Sequence, residues 1–204
     1  MRQQRAEQTR ARLIEVAAEL FDRYGFAGTN ISDITAAAGV TKGALYFHFT
    51  AKEELVEAVQ ETSTALLADA VSKITAADLS PVEALIDLSH AVARMLVSEP
   101  AVRASFRIAR ECGDRAQPFV DFHHAWRDVV RDLLRAAAKN GQLARNTDVS
   151  LPLLSMYVGI EALWSSGMSK DGVAELFTDA WRLLLPGLVT TELANELLGP
   201  GAAG

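Results

Sequence analysis

The stretch Asn30–Lys52, NISDITAAAGVTKGALYFHFTAK, constrains this chain more than any other. It holds a helix start, a tight turn and a second helix start within about twenty residues, the length scale of a helix-turn-helix. Asn30 is a good N-cap residue with Asp33 three positions on, and Ile34, Ala37 and Ala38 follow as one apolar edge at helical spacing. Gly39 can adopt the left-handed backbone that closes the first helix, with Val40 turned back into the junction. Thr41 caps the second helix, Lys42 to Phe47, which is too short to persist without neighbours. Its first turn, Lys42-Gly43-Ala44, is a cation followed by two residues almost without side chain. Such an edge admits another large surface. Thr41, Lys42, Tyr46, His48 and Lys52 ring it with donors suited to phosphate oxygens. The rival reading is a packing motif only, but packing gives those five residues no role.

Residues 10–55 resemble the DNA-binding domain of the tetracycline-repressor (TetR) family. The resemblance rests on a first helix ending FDRYGF, on the opening TNISDI and on AAAGVTKGALYFHFTAKEEL. It implies that Lys42, Gly43 and Ala44 face base edges, while Thr29, Thr41, Tyr46, His48 and Lys52 fix phosphates.

Around this head the sequence reads as all-α. Leu13, Val16, Ala17, Leu20, Phe21 and Tyr24 recur every three or four positions, so Thr9 to Tyr24 is an amphipathic helix that Gly25 stops. It completes a three-helix domain over residues 1–52. The first eight residues are expected to be a mobile arm carrying Arg2 and Arg5 towards the DNA backbone. A fourth helix starts at a Thr50/Glu53 capping box and runs through Gln60 to about Ile74, tying the head mechanically to the larger domain, 53–198. Ser80-Pro81-Val82-Glu83 restarts the chain with cap, first-turn proline and acid in order. Helical segments then follow at 81–97, 101–109, 119–139, 148–168 and 172–198, with a polar connection before Pro118 and a bend or end at Pro186. No stretch alternates as strands do. The tail 199–204 is expected to be disordered.

The formal net charge of −6 argues at first against a nucleic-acid partner. Residues 1–52, however, carry seven Lys or Arg against five Asp or Glu, and the remainder thirteen against twenty-one. A mildly basic head on an acidic body confines attraction to phosphate to one place. The single cysteine, Cys112, cannot form an internal disulfide, and neither a membrane span nor a secretory signal is expected, so the reading is cytoplasmic.

The last two long helices carry apolar stripes richer than a monomer needs. These are Leu151, Leu154, Val158, Ala162 and Trp164 on one, and Val173, Leu176, Phe177, Ala180, Trp181, Leu184 and Leu188 on the other. Paired with a second copy they would make a four-helix bundle and a homodimer, unless both stripes are internal core. The helices between 81 and 139 offer apolar walls, among them Leu88, Val92, Phe106, Phe122 and Trp126. Ser89, His90, Ser105, Arg107 and His123 are polar points that could orient a small molecule.

Here VRASFRIARE, HHAWRDVVRDLL and KNGQL resemble the γ-butyrolactone autoregulator receptors of filamentous actinomycetes, a TetR subgroup. That resemblance implies a double-stranded operator as partner, a lactone-like hydrophobic ligand and a pocket tryptophan at Trp126; otherwise Trp126 is a core anchor. Its pseudo-receptors tend to be basic, and a pI near 5.3 leans towards a true receptor. A regulator sensing an unrelated lipophilic ligand is the alternative, and a helical interaction scaffold a more distant one.

No cofactor, metal site or catalytic residue is expected. His123 and His124 are adjacent and so about 100° apart on a helix, unable to grip one ion as an i, i+4 pair can. Ser89-His90 has no acid to orient the imidazole, and no nucleophile elbow or phosphate-binding glycine loop occurs, so an enzyme is not expected.

Overall fold

The structure is a computed structural model that describes residues 2–113, 118–145, 148–169 and 172–199. The expected disorder of 200–204 and most of the connection before Pro118 lie outside those residues. Ten helices are described: α1 (Arg2–Gly28), α2 (Ile31–Ala38), α3 (Lys42–His48), α4 (Lys52–Thr75), α5 (Pro81–Ser98), α6 (Pro100–Cys112), α7 (Asp121–Lys139), α8 (Ser150–Ser165), α9 (Val173–Leu188) and α10 (Thr191–Leu198). The only extended pairing among the described residues is a bridge between Leu143 and Val189. The fold is all-α, as the sequence periods require.

Two compact units emerge, 1–66 with 98–125, and 67–97 with 126–204. The helix-turn-helix therefore shares its unit with α6. Leu13, Val16, Phe21, Ile34, Leu45 and Phe49 of the head form one core with Leu55 and Val59 of α4 and Ala104 and Ile108 of α6. Gln60 of α4 is buried there, its amide donating to the Phe119 carbonyl (3.1 Å) and accepting from the Phe122 N–H (3.0 Å). A single side chain thus satisfies both polar groups of the turn that opens α7.

In the other unit Val82, Leu85, Leu88, Val92 and Leu96 of α5 are buried, as are Trp126, Val130 and Leu134 of α7 and Tyr157, Phe177 and Trp181. Trp126 meets Tyr157 edge-on at 4.3 Å, and Tyr157 meets Phe177 at 4.9 Å. Ser89 Oγ donates to the Leu85 carbonyl (2.9 Å) and accepts from the Trp181 indole N–H (2.8 Å) and the Tyr157 hydroxyl. Burial pushes the Tyr157 phenol well above its ordinary pKa, so it remains a donor.

Several local expectations change. The N-terminal arm is helical from Arg2, because its residues are good helix formers and Gln3 bonds Glu7 one turn on (3.2 Å). Gly25 does interrupt α1, at φ 75° and ψ 174°, before a last short turn to Gly28. Thr50 is satisfied by Glu54, whose carboxylate takes both its N–H and its hydroxyl, not by Glu53. Pro186 falls in the last turn of α9, and the chain breaks at Val189–Thr190 to start α10 separately.

The Gly25 kink faces α6. Arg107 donates to the Asp22 and Arg23 carbonyls at the end of regular α1 (both 3.0 Å) and to Glu111 (2.8 Å), whose carboxylate accepts the Phe26 N–H (3.0 Å). A Cβ on Gly25 would stand 2.3 Å from both Glu111 oxygens. Gly25→Ala should therefore lower unfolding free energy by more than about 1 kcal/mol, from positive φ and the displaced carboxylate together. Denaturant titration of both proteins measures the loss.

Candidate functional site

The reading head is built by local caps. Asn30 and Asp33 cap α2 reciprocally (3.0 and 3.1 Å), and Gly39 closes it at φ 68°. Thr41 Oγ1 accepts the Ala44 N–H at 3.1 Å and keeps its hydroxyl proton for an outside acceptor. Leu45 and Phe49 then anchor α3 in the core.

What remains outward on α3 is one face. Thr41, Lys42, Gly43 and Tyr46 are exposed, and Ala44 and His48 are half-buried. A Cβ on Gly43 would meet only the Thr41 hydroxyl, at 3.9 Å, so nothing among the described residues covers the leading turn there. Sequence reasoning passes over Phe47, which is 78% exposed beside this face. The signal is nonetheless present: Phe47 lies one turn beyond Gly43.

Two residues expected to hold phosphates have other work. Thr29 is 2% exposed and gives its hydroxyl to the Gly25 and Leu20 carbonyls (2.8 and 3.2 Å). Lys52 Nζ bonds the Phe26 and Thr29 carbonyls (2.8 and 2.9 Å) and sits over the Phe26 ring at 3.9 Å. Both fasten the end of α1, because carbonyls left by the Gly25 break need donors and these two lie within reach.

The residues expected to line a ligand pocket fall into both units. Phe106, Phe122 and His123 belong to the first, with Phe106 and Phe122 at 5.7 Å and Phe106 edge-on to His123 at 4.8 Å. Leu88, Val92 and Trp126 belong to the second, all fully buried. Three of the polar points suggested for a ligand are structural instead. Ser89 joins Tyr157 and Trp181, Ser105 bonds Ser63 (2.8 Å), and Arg107 caps α1. His123 differs, since its Nδ1 is buried without a hydrogen-bond partner. Burial, with the nearby His124 and Arg110 charges, lowers its pKa to about 4.

On α8 and α9 the stripes divide. Val173, Phe177 and Trp181 point inward, whereas Leu151 and Leu184 are exposed, as are Leu163 and Leu183 outside the expected stripes. An apolar groove of about 530 Å³ is lined by Leu183 and Leu184 of the exposed set with Val149, Pro152, Met156 and Leu188 among others. No described helix is long and apolar enough to cross a membrane, and no group of His, Cys, Asp and Glu among the described residues could hold a metal ion.

The chain matches the family model for bacterial regulatory proteins of the tetR family over residues 13–59, and that for the tetracyclin repressor-like C-terminal domain over 79–190. It belongs to the TetR family. The first match covers the helix-turn-helix, and the second covers α5 to α9. It is 27% identical over 193 residues to the A-factor receptor protein of Streptomyces griseus, spanning 92% of this chain and 66% of that one. It is also 27% identical over 203 residues to the transcriptional regulator TtgR of Pseudomonas putida, covering 94% and 95% of the two chains. Among solved structures, a γ-butyrolactone receptor described as ArpA-like superposes with a TM-score of 0.80 at 32% identity, covering 98% of each chain. CprB from Streptomyces coelicolor, in complex with its operator sequence, gives 0.78 at 33% identity and 94% of each chain. The TetR-family chain is thus a DNA-binding transcriptional regulator and not an enzyme.

The depressed His123 pKa has a sign. A histidine whose folded pKa lies below its unfolded value of 6.5 contributes full stability above that value and loses it as pH falls towards about 4. Between pH 7 and pH 5 the wild type should lose about 1–2 kcal/mol more than His123→Gln. Urea melts of both proteins at the two pH values check it.

Proposed function

We propose that this regulator is a homodimeric repressor of a palindromic operator, released by a small hydrophobic ligand of the γ-butyrolactone type. The observation that carries the DNA half is the uncovered leading turn of α3, bare at Gly43 and ringed by Thr41, Lys42, Tyr46 and His48. Lys42, with three donors at the head of the face, reads base edges, and Gly43 and Ala44 let the backbone approach. Thr41, Tyr46 and His48 hold phosphates. Thr29 and Lys52 leave the contact set and become supports.

The dimer forms through α8 and α9. Leu183 and Leu184 line an apolar groove, and with exposed Leu151 and Leu163 on α8 they are apolar surface that association would cover. A dimer places two α3 helices on one face of the duplex, about 34–36 Å apart or a geometric adjustment of that spacing. Work on an operator sets the protein in the cytoplasm beside the chromosome.

For the ligand half, Trp126 supports the reading, with Leu88 and Val92 on α5. A tryptophan offers a flat apolar wall to a lactone ring and alkyl chain. The relatives described as γ-butyrolactone receptors favour this ligand class. Ligand binding need shift operator affinity by only about 1–3 kcal/mol, five- to 150-fold, to act as a switch.

Gel shifts against operators selected from random duplexes test this reading. Wild type should bind one palindrome as a dimer and weaken steeply with salt. Lys42→Ala should lose about 1–3 kcal/mol of specific binding with unchanged stability, whereas Lys52→Ala should lose thermal stability. Trp126→Ala should bind the operator and ignore a synthetic γ-butyrolactone that releases wild type. Release by an unrelated apolar compound, with lactones inert, would replace the ligand class and leave the repressor standing.

A further inference from the structure

Phe47 is a phenyl ring left in water at 78% exposure on a helix whose packing is already complete through Leu45 and Phe49. The fold gives it no burial, and its backbone position would serve any helix former. Its setting is specific. Around α3 the exposed positions are Lys42, Gly43, Tyr46 and Phe47, one continuous face, with Phe47 about 40° from Gly43 at 100° per residue. The ring stands edge-on to His48, centroids 5.0 Å apart at 83°, which restricts its rotation. It projects beside the one residue of the face that has no side chain.

We propose that Phe47 reads sequence by packing its ring on the C5-methyl group of a thymine in the operator's major groove. The inference rests on the operator-binding reading and deepens it. A phenyl ring neither donates nor accepts a conventional hydrogen bond, so it is blind to the donor and acceptor pattern of the base edges. The thymine methyl is the one apolar feature those edges present in the major groove. Gly43 allows the close approach that such a contact needs, and Lys42, one turn before Tyr46, supplies the polar half of the readout. Contact with sugar or phosphate would waste the ring, because those surfaces are polar and present at every position.

Full-length protein and Phe47→Ala are each used to select operators from a random duplex library, and affinities are then measured on the selected wild-type site. Wild type should require a thymine at one position of each half-site. Phe47→Ala should lose the preference at that position and keep the rest of the consensus. Replacing that thymine with deoxyuridine removes only the methyl group. It should weaken wild type about tenfold and leave Phe47→Ala unaffected. The deoxyuridine arm with wild-type protein needs no variant, so a folding defect in Phe47→Ala cannot mask the answer. An unchanged consensus with Phe47→Ala, equal weakening on all sequences, or equal sensitivity of both proteins to deoxyuridine overturns the assignment while leaving operator binding intact. If wild type enriches no sequence, operator binding and this assignment fail together.

Discussion

The DNA-reading head depends on the contact that α6 makes with the end of α1. Helix α1 loses its regular hydrogen bonding at Gly25, leaving the Asp22 and Arg23 carbonyls and the Phe26 N–H to find partners. Arg107 supplies the donors and Glu111 the acceptor, and the two are paired with each other. Each is a hydrogen bond to a charged group at a helix end of the matching polarity, stronger than neutral pairs. Arg103 adds an ion pair to Asp22 at 2.8 Å. On the other side of the break, the Phe26 and Thr29 carbonyls take Lys52 from α4. The kink is thus stitched from two helices that lie far off in sequence.

This arrangement bears on how a signal could reach the operator. The head has no private core: Ala104, Ile108 and Cys112 of α6 and Leu55, Val56 and Val59 of α4 complete the cluster that holds Ile34 and Leu45. Moving either helix disturbs the packing under α2 and α3 before it disturbs any surface residue. A long α4 lever is therefore not the sole mechanical element. Close-packed cores respond to displacement by switching arrangement, not by flexing smoothly. The ionic stitching makes α6 a second route into the same core, joined to α1 at the Gly25 break.

The sequence made legible what is determined within one or two turns. Asn30 with Asp33, Gly39, Thr41 and Ser80 with Glu83 all act on backbone three or four residues away, and all behave as their residue types require. Even there the reach of a side chain misleads: Glu54, one position beyond the expected Glu53, takes both Thr50 donors. The α3 face follows from the same local logic, and Phe47 belongs to it by its spacing of one turn from Gly43. Partners with no sequence period stay hidden. Thr29 and Lys52 have the chemistry of phosphate ligands, and only the Gly25 break reveals that vacant carbonyls compete for them. Ser89 has the chemistry of a ligand contact, but its partners Tyr157 and Trp181 lie 68 and 92 residues away. The α9 stripe gives amphipathicity without direction, since an inner face and a dimer face have the same period. Val173, Phe177 and Trp181 take the inner one.

Thr29 is buried and Lys52 bonds two backbone carbonyls at the end of α1, which bears on the charge the head can present to DNA. Lys52 is bonded to the Phe26 and Thr29 carbonyls, so the modest positive excess of the first 52 residues overstates the charge presented by the head. Weak charge means weak non-specific attachment, because that attachment comes from phosphate neutralisation and counterion release. On the reading proposed above, a single α3 with Lys42 as its one cation and a small face would not compensate. Two such faces held at fixed spacing would, since the second would engage at the high effective concentration set by the first. On the proposed reading the exposed leucines of α8 and α9 and the sparse charge of α3 answer one need, a body that brings two heads to the duplex together, while the acidic remainder of the chain repels DNA elsewhere.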